Sequence, residues 1–273
     1  MANDIFSNID GLPSEGIQML ADRLDMRSQM PGFAKMRDDY FGLMDLQPNA
    51  RILELGAGTG AIGRAYAKRQ GFSGCYVVSD LSRSLIEYAE RKAFEEGIAD
   101  RMEFKVANAM TGQGIGAEQY DAVILHTILS HVPDPGSVLK TAVSATTNGG
   151  IIAVFDADYE GLVIVSGDED LDSTVMSALR QSALAQPKVM RKVPSLAVAL
   201  DLERKHLVPT LLAEAGESEF FIGLAQAVCN TVMAQGNLHR DTGEKWLAAL
   251  ETAVANGSFF GMCPYLTYVY GKA

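Results

Sequence analysis

The side chains best suited to move a proton or grip a polar ligand lie in two short segments. His126 and His131 bound the run His126-Thr-Ile-Leu-Ser-His131-Val-Pro-Asp134, and Asp156 and Asp158 follow the apolar run at 151–155. An imidazole titrates near neutrality, which suits a general base, and His131 projects from a loop where it could serve one. The two histidines are five residues apart. That spacing does not match the i, i+4 pair that places two imidazoles on one helix face, so a metal pair is not expected. Asp156 and Asp158 alternate along an extended end and face opposite ways, one suited to a substrate contact and one to capping the next element. No Asp-x-Asp-x-Asp-Gly loop follows them, and no bound cation is expected. Tyr159 adjoins them, and Arg191-Lys192 could meet a substrate anion or pair with these acids.

A second constellation is Glu54-x-Gly56-x-Gly58-x-Gly60. Glycines between a strand and a helix let a ligand approach backbone N–H groups closely. A loop of this form suits S-adenosylmethionine as a ligand. The overlapping Gly58-Thr-Gly60-Ala-Ile-Gly63 also satisfies the G-x-G-x-x-G pattern of dinucleotide sites. Both ligands require an acid about 20 residues on, at the end of the next strand, to accept from ribose hydroxyls, and Asp80 serves either.

The elements that must hold these residues alternate. Ile17, Leu20, Ala21 and Leu24 recur at helical spacing, with Ser14 as the expected N-cap, and Pro31-Gly32 breaks that helix. A second helix is expected over 33–43, carrying Phe33, Met36 and Tyr40. Strands are expected at 51–55, 75–79, 102–106, 120–125 and 151–155, with helices at 61–69, 82–96 and 135–144 between them. Short apolar strands alternating with helices predict a doubly wound parallel α/β sheet. The rhythm then changes. Helices are expected at 171–184, 196–202, 207–215 and 241–256, a strand at 220–228 and a final strand at 259–270. No linker-like stretch cuts the chain. One domain is expected: an N-terminal helical lid (1–45), a core (46–156), substrate-side helical insertions (157–258) and a last strand (259–273).

Composition narrows the function classes. The chain has 273 residues, 48% hydrophobic and 21% charged, with a formal charge of −11. That balance opposes non-specific nucleic-acid binding, which relies on Lys and Arg at phosphates, and no nucleic-acid partner is expected. No apolar run approaches the ~18 residues of a membrane span, so no membrane partner is expected either. Cys75, Cys229 and Cys263 are too dispersed for a disulfide framework or a zinc ribbon, which fits a reducing cytoplasm.

The ordered set of segments carries a resemblance. Arg51-Ile-Leu-Glu-Leu-Gly-Ala-Gly-Thr-Gly60, Ser79-Asp-Leu-Ser82, Ala107-Asn-Ala109, Tyr120-Asp-Ala-Val-Ile-Leu-His126 and Gly149-Gly-Ile-Ile-Ala-Val-Phe155 occur in that order. Together they resemble the class I S-adenosylmethionine-dependent methyltransferases, and within them the small-molecule group that includes the ubiquinone and menaquinone biosynthesis enzymes. The match covers about 35–156. It implies a Rossmann-like, seven-stranded sheet whose last strand is antiparallel, S-adenosylmethionine as cofactor, and methyl transfer to a small, fairly apolar metabolite. A homodimer is compatible with it.

The resemblance also implies cofactor contacts at Gly56, Ala57, Gly58, Gly60, Asp80, Leu81 and Ala109. It places Glu54 near the amino-acid end of the ligand, Asn108 at the adenine amine, and His126 beside the cofactor. Asn108 stands where the family commonly has Asp, and an amide oxygen can still accept from that amine. The helix bearing Tyr40 would close over the cofactor, although core packing also explains its stripe. His131 and Asp156 are the catalytic candidates, and Asp158, Tyr159 and Tyr265 the substrate-side ones. A nicotinamide-dependent oxidoreductase is disfavoured because no Tyr-x-x-x-Lys pair follows the core. A non-catalytic binding module is opposed by the intact glycine loop and Asp80.

Overall fold

The computed structural model describes residues 9–117, 119–182 and 184–273. Five short strands form the parallel part of the sheet: β1 (Arg51–Leu55), β2 (Cys75–Asp80), β3 (Met102–Val106), β4 (Tyr120–His126) and β5 (Thr146–Ala157), in the spatial order β3-β2-β1-β4-β5. Their crossovers are α3 (Ala61–Ala67), α4 (Arg83–Glu95) and α5 (Pro135–Ala145), except between β3 and β4, where the described residues form no helix. Leu53, Ile52, Val77, Val123 and Ile124 are fully buried, as strands covered on both faces require.

The antiparallel end holds β6 (Val163–Val165), β7 (Leu202–Gly216) and β8 (Phe259–Lys272). β8 pairs with β5 over Tyr265–Gly271 and with β6 over Phe260–Met262, while β7 pairs with β8 along its whole length. Tyr265 is bonded across to both Ala157 and Thr210, so β7 occupies the opposite edge of β8 from β5. β6 therefore continues the β5 edge, and the sheet has eight strands.

Four expectations change here. The segment 207–215 is strand, not helix, because it lies along β8 with alternating half-burial. The segment 220–228 is helix, within α8 (Phe221–Ala234), not strand. Ser14 is the first residue of α1 (Ser14–Gln29), preceded by Pro13, and makes no capping bond. The helix expected at 196–202 begins earlier, as α7 (Val189–Val198).

The remaining helices are α2 (Pro31–Leu43), α6 (Glu169–Ser182) and α9 (Arg240–Ala255). Phe33, Met36 and Tyr40 of α2 are buried in the main core, as the packing account of that stripe requires. α1 is tied down by charge. Arg64 of α3, 5% exposed, bonds Asp25 of α1 at 2.6 Å and also pairs with Glu96. The Tyr88 hydroxyl donates to the same Asp25 carboxylate. α1 is thereby fixed against α3 and α4, beside the carboxyl ends of the parallel strands.

Candidate functional site

The turn after β1 is built by positive-φ glycines. Gly56, Gly58 and Gly60 have φ of 68°, 55° and 67°, a region that side chains disfavour. A Cβ on Gly56 would lie 2.4 Å from Ile128, so this glycine also lets the loop after β4 pack closely. The second half of the dinucleotide-like pattern has a packing cause: a Cβ on Gly63 would lie 2.5 Å from the Tyr76 ring. Asp80 closes the loop from below. Its carboxylate accepts from the Gly58 N–H at 2.8 Å and the Ser82 N–H at 2.9 Å. Burial raises its pKa, and those N–H bonds oppose the rise.

This loop forms one wall of a cavity of about 350 Å³, within the range of small-ligand sites. Glu54, Gly56, Ala57, Gly58, Asp80, Leu81, Asn108, Ala109 and His126 line it. Gly60 does not. It sits at the start of α3, where a Cβ would crowd Ala89 and Val78. Asn108 departs from its expected use. Its Oδ1 accepts from Met110 N–H at 2.9 Å and Thr111 N–H at 3.2 Å, so the oxygen expected to meet an adenine amine is engaged in a turn. The group left to the cavity is the amide nitrogen, a donor.

Two buried groups in this cavity are neutral. Burial pushes Glu54 up to about 8, against the bond donated by the Tyr76 hydroxyl at 3.0 Å. Burial, with Arg27 and Arg37 nearby, holds His126 well below its ordinary value. The Tyr40 hydroxyl lies 3.0 Å from His126 Nδ1. Tyr40 is 1% exposed and burial drives its own pKa up, so the phenol keeps its proton. The pair shares one hydrogen bond, in which the phenol donates when the imidazole proton is on Nε2 and accepts when it is on Nδ1. Tyr40 thus lies behind His126 and does not line the cavity.

A second cavity, of about 150 Å³, adjoins the first and shares Leu24, Arg27 and His131 with it. Its walls come from α1, α6 and α8, with Tyr159 and Leu162 from the turn after β5, and they are mostly apolar, including Met26, Met176 and Leu179. α8 is set in place from β7: the Glu214 carboxylate accepts from the N–H groups of Phe220 and Phe221 at 2.9 and 3.1 Å. Those are orphan donors at a helix start.

His131 and Tyr159 are therefore at the cavities, and Asp156, Asp158 and Tyr265 are not. Asp156 is 0% exposed and accepts from Ser130 N–H and Oγ–H at 3.0 Å and from Ala157 N–H at 2.8 Å. It fixes the 127–131 loop, and its carboxylate feels the charge of His131. Its place is that of a positioning residue, because burial denies it contact with a ligand. Asp158 is paired with Arg191 at 2.8 Å. Tyr265 stacks on Phe155 with centroids 5.4 Å apart, inside the core. Arg23 and Arg27, which sequence reading passed over, reach the cavities from α1. Their i, i+4 spacing beside the apolar stripe was the available signal.

Among known proteins, a model of the methyltransferase domain matches residues 46–216, more than half of the chain. The chain belongs to the S-adenosylmethionine-dependent class I methyltransferases. It is 28% identical over 138 residues to the tRNA 5-carboxymethoxyuridine methyltransferase of Escherichia coli (strain K12), covering 50% of this chain and 52% of that one. It is 30% identical over 105 residues to the ubiquinone biosynthesis O-methyltransferase of Aeromonas salmonicida, covering 38% and 42%. The chain thus spans about half the length of these curated relatives or less. The phosphoethanolamine N-methyltransferase 2 of Haemonchus contortus, solved with S-adenosyl-L-methionine, shares the fold with a TM-score of 0.57 at 14% identity, covering 98% of this methyltransferase and 60% of that chain. The cofactor is S-adenosylmethionine. The first cavity fits it, with backbone exposed at Gly56 and Gly58, a carboxylate at Asp80 and an apolar rim at Leu81. No helix among the described residues is long and apolar enough to cross a membrane.

Proposed function

We propose that this methyltransferase transfers a methyl group to a small, largely apolar metabolite held in the second cavity, with the acceptor atom an oxygen, nitrogen or carbon. The observation that carries this reading is the shared wall. An apolar cavity opens beside the glycine-loop cavity across Leu24, Arg27 and His131. A methyl donor in one could meet an acceptor from the other across this common boundary, and an in-line displacement needs the two aligned and in contact. The charge of −11 weighs against a polyanionic substrate such as the tRNA of one relative.

S-adenosylmethionine, when bound, supplies an electrophilic methyl group on a sulfonium. The chain's residues then have separable tasks. Asp80 holds the Gly58 N–H with one carboxylate oxygen and keeps lone pairs for ribose hydroxyls. Asn108 offers an N–H to the adenine ring, and neutral His126 presents a polar edge to the same cavity. Glu54, neutral at pH 7, can donate as well as accept. His131 stands between the cavities, where it would take a proton from an O–H or N–H acceptor. Asp156 holds the loop that carries it.

Calorimetry with S-adenosylhomocysteine and NAD, followed by a labelled-methyl transfer screen over apolar hydroxy, amino and enol compounds and bulk tRNA, tests the reading. We expect S-adenosylhomocysteine to bind, NAD not to bind, and label to enter small molecules. Label entering tRNA alone would overturn the proposed acceptor class.

A further inference from the structure

The second cavity combines apolar walls with unbalanced positive charge. Three guanidinium groups line it: Arg23, Arg27 and Arg180. Arg27 also lines the first cavity and bonds the Thr127 hydroxyl at 3.2 Å, so it is available to either ligand. Arg23 and Arg180 belong to the second cavity alone. Each has a neutral partner only. Arg23 donates to the Gly223 carbonyl at 3.2 Å, and Arg180 to the Leu162 carbonyl at 3.2 Å. Among the described residues neither meets a carboxylate, and the Nε of Arg180 is buried with no hydrogen-bond acceptor.

The acids nearby are already engaged. Asp158 pairs with Arg191 and Glu160 with Lys188. Asp172 accepts from the Trp246 indole and the Ser166 N–H, and Glu214 accepts at the start of α8. Glu219 borders the cavity but is exposed to solvent and makes no ion pair with these arginines. Burial and the like charge of Arg27, four residues on, both disfavour the charged form of Arg23. A guanidinium cannot shed its proton at neutral pH, so the strain of unpaired positive charge stays in the site until an anion relieves it. The two arginines also approach the same turn. The turn at Tyr159–Gly161 leads to Leu162, whose carbonyl Arg180 bonds, and Tyr159 interacts electrostatically with Arg23.

We infer that the acceptor substrate is an amphipathic anion whose apolar body fills the second cavity and whose carboxylate or phosphate group is met by Arg23 and Arg180. This rests on the reading of the first cavity as the cofactor site and of the second as the acceptor site. Planar guanidinium forks match either oxyanion.

The test uses the full chain saturated with S-adenosylhomocysteine and four probes of one chain length: octanoate, octyl phosphate, octanol and octylamine. Calorimetric titration should show at least one of the two anions binding tenfold or more tighter than octanol and octylamine. A preference for octanoate or for octyl phosphate names the head group. Arg180→Gln and Arg23→Gln should each weaken the favoured anion about tenfold, leave octanol within twofold, and leave S-adenosylhomocysteine unchanged, because neither side chain borders the first cavity. Octanol binding as tightly as both anions to the unmodified protein would overturn the inference, whatever the variants do. Failure of S-adenosylhomocysteine to bind the unmodified protein would instead overturn the cofactor-site reading, and the same titration separates the two.

Discussion

Glu54 is the clearest place to perturb the site, because one substitution isolates one ionisation. Its carboxyl is 1% exposed, takes a hydrogen bond from Tyr76, and titrates at about 8 rather than at 4.5. Burial is the main cause, and the charge of Asp80 adds to it. The folded chain therefore holds a proton on Glu54 that the unfolded chain has released above pH 4.5. A group whose acid form is favoured in the native state makes stability fall as pH rises. The fall begins near 4.5, runs at about 1.4 kcal/mol per pH unit, and ends near 8. The whole span comes to about 5 kcal/mol as a ceiling; water in the adjoining cavity lowers the cost of the charge, so we expect about 2–5 kcal/mol. Glu54→Gln keeps the shape and an acceptor for Tyr76 but cannot ionise. Urea unfolding of both proteins at pH 5, 6, 7, 8 and 9 gives the comparison, and their difference cancels every other titrating group to first order. The variant should gain on the parent steadily from pH 5 to 8 and hold its advantage at pH 9. Parallel stability curves over that range would show that Glu54 is ionised in the folded protein, and the burial argument would fail.

Three further outcomes follow from the same contacts. Tyr40→Phe removes the hydrogen bond to His126 Nδ1 and should cost about 1–3 kcal/mol, the range for a buried polar group left unpaired. Imidazole nitrogen NMR should show one tautomer in the parent and a mixture in the variant; identical spectra would refute the role of this bond in fixing the ring. Arg64→Met leaves the buried Asp25 carboxylate without its cation, while half-buried Glu96 keeps Lys68, and should cost about 3–5 kcal/mol in urea unfolding, with a loss under 1 kcal/mol counting against the anchoring of α1. Glu214→Gln weakens the bonds to Phe220 and Phe221 and should raise amide exchange first at the start of α8, ahead of the sheet.

The glycine loop and the strands that hold it were legible because local chemistry dictates them. Gly56 and Gly58 sit where φ is positive, and Asp80 ends its strand within reach of the loop it closes. Those constraints leave marks in sequence. The region after β5 leaves weaker ones. Leu207 to Ala215 contains good helix formers, but Pro209 is its third residue, past the first helical position where proline fits best, while an edge strand tolerates it. Its identity as β7 depends on a partner, β8, more than 40 residues further on, which no local pattern reports. The run Phe-Phe-Ile-Gly-Leu-Ala-Gln-Ala-Val at 220–228 is apolar on every face at that length, so period alone could not separate strand from helix. Asn108 was misread for another reason: its residue type fits an adenine contact, but two backbone N–H groups of its own turn reach the oxygen first.

The site's asymmetry has a structural origin in α1. Its side chains supply the boundary of both cavities through Leu24 and Arg27, and it is attached to α3 and α4 by the Asp25–Arg64 pair together with the apolar cluster of Ala21, Leu85 and Tyr88. The same helix turn thus faces inward with Asp25 and toward the ligands with Arg23, Leu24 and Arg27. The two acids of this stretch are turned to other partners, Asp25 to Arg64 and Asp22 to Gln18 and Tyr88. The anchoring that holds the wall in place thus directs acids away from the second cavity, and a change at Asp25 or Arg64 should alter binding there as well as stability.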